Sequence, residues 1–263
     1  MKNIKLLPIL LAAGWIGFSA CTNGSAPQSK PLSVTLQTYA YKKCLRDSLC
    51  AEMNLTYPVI SGGADSTAAR RLNDSIQSAV YLAANADASL PLKPALDSAA
   101  SQLFNLLKGD NEAGSELDMS YSMELNSKIL LQNDHWLSVE MNGYSFTGGA
   151  HGYYYTVLNT FDLKTAESLR LSDLVSDTTA LRSMLETAFV KAHQADMPDA
   201  KLEDLLLMPD ERLALPLNYC LLPTGIRFLY NPYEVAAYAI GQTDILLTWE
   251  QLGALADRKK WLP

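Results

Sequence analysis

The residue types best suited to chemistry fall in two short segments. The first is Tyr144-Ser145-Phe146-Thr147-Gly148-Gly149-Ala150-His151-Gly152-Tyr153-Tyr154-Tyr155. Glycine reaches backbone conformations closed to other residues, so this stretch can turn tightly. Its amides can also line a small anion-binding concavity. His151 reads as a general base, as a contact whose charge follows pH, or as a ring that hydrogen-bonds the backbone of a tight strand connection. Tyr144 and Tyr153 pair apolar area with a polar tip, which suits either a core or a face that binds sugar or protein.

The second segment runs Phe228-Leu229-Tyr230-Asn231-Pro232-Tyr233-Glu234-Val235-Ala236-Ala237-Tyr238. Asn231-Pro232 ends a strand and starts a turn. Pro232, Tyr233, Glu234 and Tyr238 then sit on a loop beside a rigid element, where binding residues tend to lie. The alternative is that Tyr233 packs under the loop and Glu234 caps a backbone amide.

Other chemistry is sparse. There is no serine elbow, two-histidine zinc motif, phosphate-binding Gly-Lys loop or dinucleotide fingerprint. None of His135, His151 and His193 has a second His or Cys at metal-ligand spacing, so no metal or cofactor is expected. Carboxylate pairs can come from anywhere in a chain, so a cell-wall hydrolase using His151 stays open beside binding and scaffold roles.

Those segments need elements to hold them. Met53, Leu55, Tyr57 and Val59 alternate with more polar residues, the period of a half-buried strand. Asp65 or Ser66 can cap a helix with Leu72, Ile76, Val80 and Ala83 on one face, and a second helix follows Pro94 and ends at Gly109. Residues 110–114 read as a loop. Leu117, Met119, Tyr121, Met123 and Leu125 keep strict period two, and 136–144 and 153–161 read as strands. Asp177 can cap a helix through Leu181 and Leu185, and a short helix follows near 202–206. Strands near 213–222, 226–230 and 244–249 lead to a terminal helix from Glu250. Helices and strands mix without regular βαβ alternation, which predicts an α+β fold with mainly antiparallel sheets and helices packed on them.

The N-terminus reads as an export signal. Lys2 and Lys5 precede Leu6–Ala20, fifteen uncharged residues, and a membrane span needs about 20. Phe18-Ser19-Ala20-Cys21 resembles the lipobox of bacterial lipoproteins, with Phe18 where Leu is usual. That implies cleavage after Ala20 and a diacylglycerol on Cys21. Residues 21–31 have the composition of a flexible tether. Cys44 and Cys50 flank five residues between extended stretches, which suits a disulfide across a hairpin in an oxidising compartment, whereas Cys220 reads as a buried free thiol. The charge agrees with an envelope role: without Lys2 and Lys5, 19 basic residues face 28 acidic ones, a net charge of -9. Nucleic acid is thereby disfavoured as a partner, and a cationic partner is suited.

Four ordered motifs resemble the family catalogued as domain of unknown function 3298. They are Thr147 to Gly152, Asn159 to Thr165 (Asn-Thr-Phe-Asp-Leu-Lys-Thr), Leu169 to Leu174 (Leu-Arg-Leu-Ser-Asp-Leu) and Asn231 to Tyr238. Upstream, Leu55 to Ile60 with Leu72 to Ile76 is similar to domain of unknown function 4163. The chain thus divides into a signal peptide (1–20), a tether (21–31), a 4163-like part (32–115) and a 3298-like part (116–263). The family occurs in bacterial lipoproteins, in the outer part of a lysozyme-sensing anti-sigma factor and beside a peptidoglycan deacetylase domain. The resemblance implies a binding or sensing domain of the cell envelope; the lipobox and the lack of an acidic run after Cys21 add the expectation of a lipid anchor on the periplasmic face of the outer membrane. The resemblance points to a cationic protein such as lysozyme, or a peptidoglycan fragment, as the ligand.

Overall fold

Met53, Leu55 and Tyr57 are buried on one face of a strand in the computed structural model, which describes residues 32–62, 66–113, 119–208 and 212–262. The expected signal peptide, Cys21 and the tether to residue 31 lie outside the described residues, as do Asp65 and Leu117. That strand, β2 (Leu49–Ser61), forms an antiparallel hairpin with β1 (Ser33–Arg46). Cys44 and Cys50 stand opposite each other in its register and are disulfide-bonded, as their spacing predicts.

Two helices then cross over. In α1 (Ser66–Ala83), Leu72, Ile76 and Val80 recur every fourth residue and are fully buried against the sheet. Helix α2 (Leu92–Glu112) starts ahead of Pro94 and runs through Gly109. Pro94 is tolerated because first-turn amides have no intrahelical acceptor to lose. Asp110, expected in a loop, stays helical and accepts a 2.5 Å hydrogen bond from the Tyr121 hydroxyl. The crossover returns the chain so that β3 (Tyr121–Gln132) lies parallel to β2. Strands β4 (Trp136–Phe146) and β5 (Tyr153–Asp162) add on antiparallel, giving a five-stranded sheet in sequence order. Residue 115 therefore falls between two hydrogen-bonded neighbours, β2 and β3, and the sheets change over only after Asp162.

The second sheet is antiparallel, β6 (Asn218–Leu222), β7 (Gly225–Tyr230) and β8 (Thr243–Thr248). Strand β6 starts later than the alternation from Leu213 predicts, because Pro216 has no N–H to donate to a ladder. Short helices α3 (Leu171–Leu174) and α5 (Leu202–Leu205) flank α4 (Thr178–His193), and α6 (Trp249–Leu252) and α7 (Arg258–Trp261) close the chain. Asp177 caps α4 by accepting from the amides of Thr179 and Ala180. Leu181, Leu185 and Phe189 then share a core with Ile226, Phe228, Tyr230 and Ile245. The molecule is α+β, with helices on the outer face of each sheet. No helix among the described residues is long and apolar enough to cross a membrane.

Between the sheets a small apolar cluster of Leu158, Cys220 and Leu229 lies beside a set of polar contacts. Ser138, Glu140 and Asn142 of β4 and Thr156 and Thr160 of β5 point away from α1 and α2. The Ser138 and Thr160 hydroxyls bond at 2.8 Å, and Thr160 accepts the Leu221 amide. The Arg227 guanidinium donates to Glu140 across the seam and holds Asp244 of β8 at 2.6 Å. Burial alone would raise the Glu140 carboxyl. The hydrogen bonds from Asn142 and Arg227 and the nearby positive charges outweigh it and hold the group below the ordinary 4.5. Burial pushes the Cys220 thiol behind this seam up to about 12, so it stays protonated and inert.

A carboxylate with a lowered folded-state pKa stabilises the fold above its ordinary value and loses that contribution as pH falls through the lowered one. Stability measured by chemical denaturation should therefore drop below pH 4.5, and less so in Glu140→Gln. Replacing Glu140 by Ala should cost about 2–3 kcal/mol at neutral pH, since Arg227 keeps Asp244 but loses its other partner. Opening the disulfide with Cys44→Ser should cost roughly 2 kcal/mol, given the short loop it closes.

Candidate functional site

The seam leads to one end of the large sheet, where the two chemistry-bearing segments meet. Asn231 ends β7, and its side chain lies along the outer edge of β5. Its Oδ1 accepts the Thr156 amide at 2.7 Å and its Nδ2 donates to the Thr156 carbonyl at 3.0 Å. Gln242 donates to both Asn231 and the Thr156 hydroxyl, and that hydroxyl donates to Asn142 at 2.7 Å. This side-chain amide does for β5 what a neighbouring strand would do, and it fixes where the following loop starts.

After Asn231 the chain folds back on itself. Glu234 caps the Asn231 amide at 2.8 Å, and the Tyr233 amide donates to the Ala236 carbonyl. Tyr233 has φ +67, a left-handed conformation that a bulky residue rarely adopts, and its ring is 55% exposed. The strain is retained for a ring that points outward, where core packing does not demand it.

That ring joins others. Tyr238 lies 5.6 Å from Tyr233, 5.7 Å from Tyr154 and 4.1 Å from the stacked His151 ring, centroid to centroid. The Tyr238 hydroxyl donates to the Gly152 carbonyl at 2.9 Å, tying the 238 loop to the glycine-rich turn. His151 Nδ1 lies 3.0 Å from the same carbonyl. Tyr144 covers Gly152 so closely that a Cβ there would meet its ring at 2.4 Å. Tyr144, His151, Tyr154, Tyr233 and Tyr238 thus form one aromatic face, open to solvent at Tyr144, His151 and Tyr233.

Not every residue expected at this site is part of it. Pro232 is buried, and Glu234 is occupied by its own loop, as the cap reading anticipates. Tyr153 pairs with Ser145 and stacks on Tyr155, so it faces the helix side of the sheet. A cleft of ≈ 440 Å³ opens beneath Gly148 and Gly149, but Asp110 lines it, and a carboxylate there opposes the anion concavity the glycines suggest. Among the described residues no group of three potential metal ligands occurs, and His151 has no carboxylate partner. Two residues of the site have no signal in the sequence: Gln242 and Glu124, which stands opposite Tyr144 in the β3–β4 register. Strand pairing brings Glu124 there, and pairing is not written in either strand alone.

Two family models match the chain. Deacetylase PdaC matches residues 45–154, which takes in most of 32–115 and runs on past residue 115 through Thr147 to Gly152. A family described as protein of unknown function (DUF3298) matches residues 172–250. The aromatic face straddles both regions, with His151 in the first and Tyr238 in the second. Among solved structures, a DUF3298-family protein from Bacteroides fragilis matches with 20% identity and a TM-score of 0.66, over 86% of this chain and 94% of that one. A DUF3298-family protein from Pseudomonas aeruginosa matches with 17% identity and a TM-score of 0.61, over 87% and 96%. These likenesses extend to the fold. No curated protein matches the chain.

Two glycines separate the architecture of this face from its display. Gly143 lies under the half-buried Tyr155 ring, where a Cβ would meet the ring at 2.2 Å. Gly143→Ala should cost about 2 kcal/mol by overpacking. Gly152→Ala displaces the more exposed Tyr144 and should cost less, while its tyrosine fluorescence and ring resonances change. Equal losses of stability in the two variants would contradict this placement.

Proposed function

We propose, for a chain whose residues 172–250 form a domain of the DUF3298 family, that it is a lipid-anchored, extracytoplasmic binding module of the bacterial cell envelope. The ligand seats on the face built by Tyr144, His151, Tyr154, Tyr233 and Tyr238. The observation that carries this reading is the convergence of two segments some eighty residues apart into one cluster of rings, with His151 stacked on Tyr238 and the Tyr238 hydroxyl tied to the Gly152 carbonyl. Exposed aromatic rings offer area and a polar tip to a partner at low entropic cost.

The Cys44–Cys50 disulfide suits an oxidising compartment, and the basic, apolar and small-residue order before Cys21 suits export and acylation. The ligands that fit the resemblance are a basic protein such as lysozyme and a peptidoglycan fragment. His151 is a ring contact of this face in preference to a hydrolytic base, since its partners are a carbonyl and a tyrosine.

Calorimetric titration of the purified mature domain with lysozyme and with muropeptides tests the reading. At least one should bind, and Tyr238→Ala or Tyr144→Ala should weaken it about tenfold while the melting temperature moves by only a few degrees. Wild-type affinity in both variants would remove the face from the function. Mass spectrometry of the cell-derived N-terminus should show a diacylated Cys21. A chain still beginning at Met1 would remove the anchor and the compartment.

A further inference from the structure

We propose that Glu124 makes the tyrosine face a receptor for a positively charged side chain, an arginine or lysine presented by a basic partner protein. The proposal deepens the binding role argued above and rests on it.

Cross-strand partners in a sheet share a face, with Cβ atoms about 5 Å apart. Asn54 of β2 is paired with Glu124 of β3, Glu124 with Tyr144 of β4, and Tyr144 with Tyr154 of β5. Beyond the β5 edge the row continues into Tyr238 and the stacked His151. One line across the sheet therefore reads amide, carboxylate, ring, ring, ring. The line lies on the sheet face opposite the crossover helices, clear of the seam that covers Glu140.

The carboxylate in this line is uncommitted. Glu124 is half-buried, and no hydrogen bond or ion pair engages it among the described residues. Its charged neighbours on the same face are spoken for: Lys42 holds Glu52 at 2.7 Å, and Lys128 and Arg227 hold Glu140. Burying part of a carboxylate without a partner costs stability, and a ligand that supplies the positive charge recovers it. The adjoining tyrosine faces attract the same ligand, since a guanidinium or ammonium group over an aromatic ring gains from the ring quadrupole. A guanidinium fits best, because its plane can stack on Tyr144 while its edge donates two hydrogen bonds to Glu124. The excess of acidic residues, 28 against 21 basic over the whole chain, steers a basic partner toward this surface.

The test uses a short Gly/Arg peptide, its Gly/Gln counterpart and chitotriose as probes of the mature domain, titrated at low and high salt. The Arg peptide should bind in a salt-sensitive way, and the Gln peptide should not. Glu124→Gln should weaken the Arg peptide about tenfold, the scale of a lost charge-assisted hydrogen bond, with a melting temperature unchanged or slightly raised because an unpartnered charge is removed. Asp134→Asn, at the far β3–β4 turn, removes the same charge elsewhere and should have no effect. Equal weakening by both variants would reduce the effect to net charge and overturn the proposal. So would full affinity in Glu124→Gln, or chitotriose binding alone. In those cases the tyrosine face stands if Tyr238→Ala still abolishes the binding that is seen. If no probe binds and the tyrosine variants leave lysozyme and muropeptide titrations unchanged, the face and the cation subsite fall together.

Discussion

The contact between Arg227 and Glu140 joins the two sheets, and much of the remaining architecture follows from it. The large sheet spends one face on α1 and α2, where Leu72, Ile76 and Leu96 exclude water. Its other face must meet a second sheet without exposing an equally apolar surface during folding. The solution is a seam of hydroxyls, amides and one shared carboxylate beside a small apolar cluster of Leu158, Cys220 and Leu229. Such buried ionic contacts add little net stability over an apolar equivalent, because desolvation offsets attraction. They do penalise every alternative docking, since each slipped register leaves Glu140 or Arg227 buried without its partner. The residues involved are 87 apart in sequence, so the seam is what makes two matched regions one structure.

The seam also explains why the aromatic face exists where it does. Strand β5 is an edge strand, and open edges invite unwanted pairing. Here the edge is closed by the side chains of Asn231, on Thr156, and of Asn218, on the Leu158 amide, and by a backbone bridge from Ser168 to Phe161. Asn231 can do this only if β7 ends beside β5, which the Arg227–Glu140 contact ensures four residues earlier. Once Asn231 is locked, Pro232 and the left-handed Tyr233 direct the next turn outward, and Tyr238 arrives over Gly152. Edge protection and ring display are thus one construction.

Much of the fold was legible because its signals are local. Period-two alternation located β2 and the start of β3, 136–144 and 153–161 matched β4 and β5, four-residue spacing located α1, and Asp177 announced α4. The Cys44–Cys50 pairing followed from a short spacing between extended stretches. What escaped were features set by distant partners. Gly109 fails to end α2 because helix C-termini answer to tertiary contacts such as Tyr121–Asp110 as well as to residue type. The parallel β2–β3 pair depends on a two-helix crossover whose return direction no strand encodes. At the site, His151, Tyr144, Tyr233 and Tyr238 were visible as unusual residues in unusual company. Tyr153, named beside them in the sequence, stands on the opposite face of β5, and the turn before it hides which parity of the strand looks which way.

Glu124 shows the limit most sharply. In its strand the alternating apolar residues Tyr121, Met123 and Leu125 draw attention to the helix-facing side, and the intervening positions read as solvent-facing filler. Only the register with β4 turns one of those positions into the neighbour of Tyr144. A half-buried carboxylate without a partner is disfavoured by the same physics that fills the seam with satisfied groups, and the seam meets that demand for Glu140 with Asn142, Lys128 and Arg227. At Glu124, on the same sheet, no such provision is made among the described residues. A fold that satisfies one acid three times over and leaves its neighbour open beside a row of rings has placed its unspent electrostatic free energy where a partner can reach it.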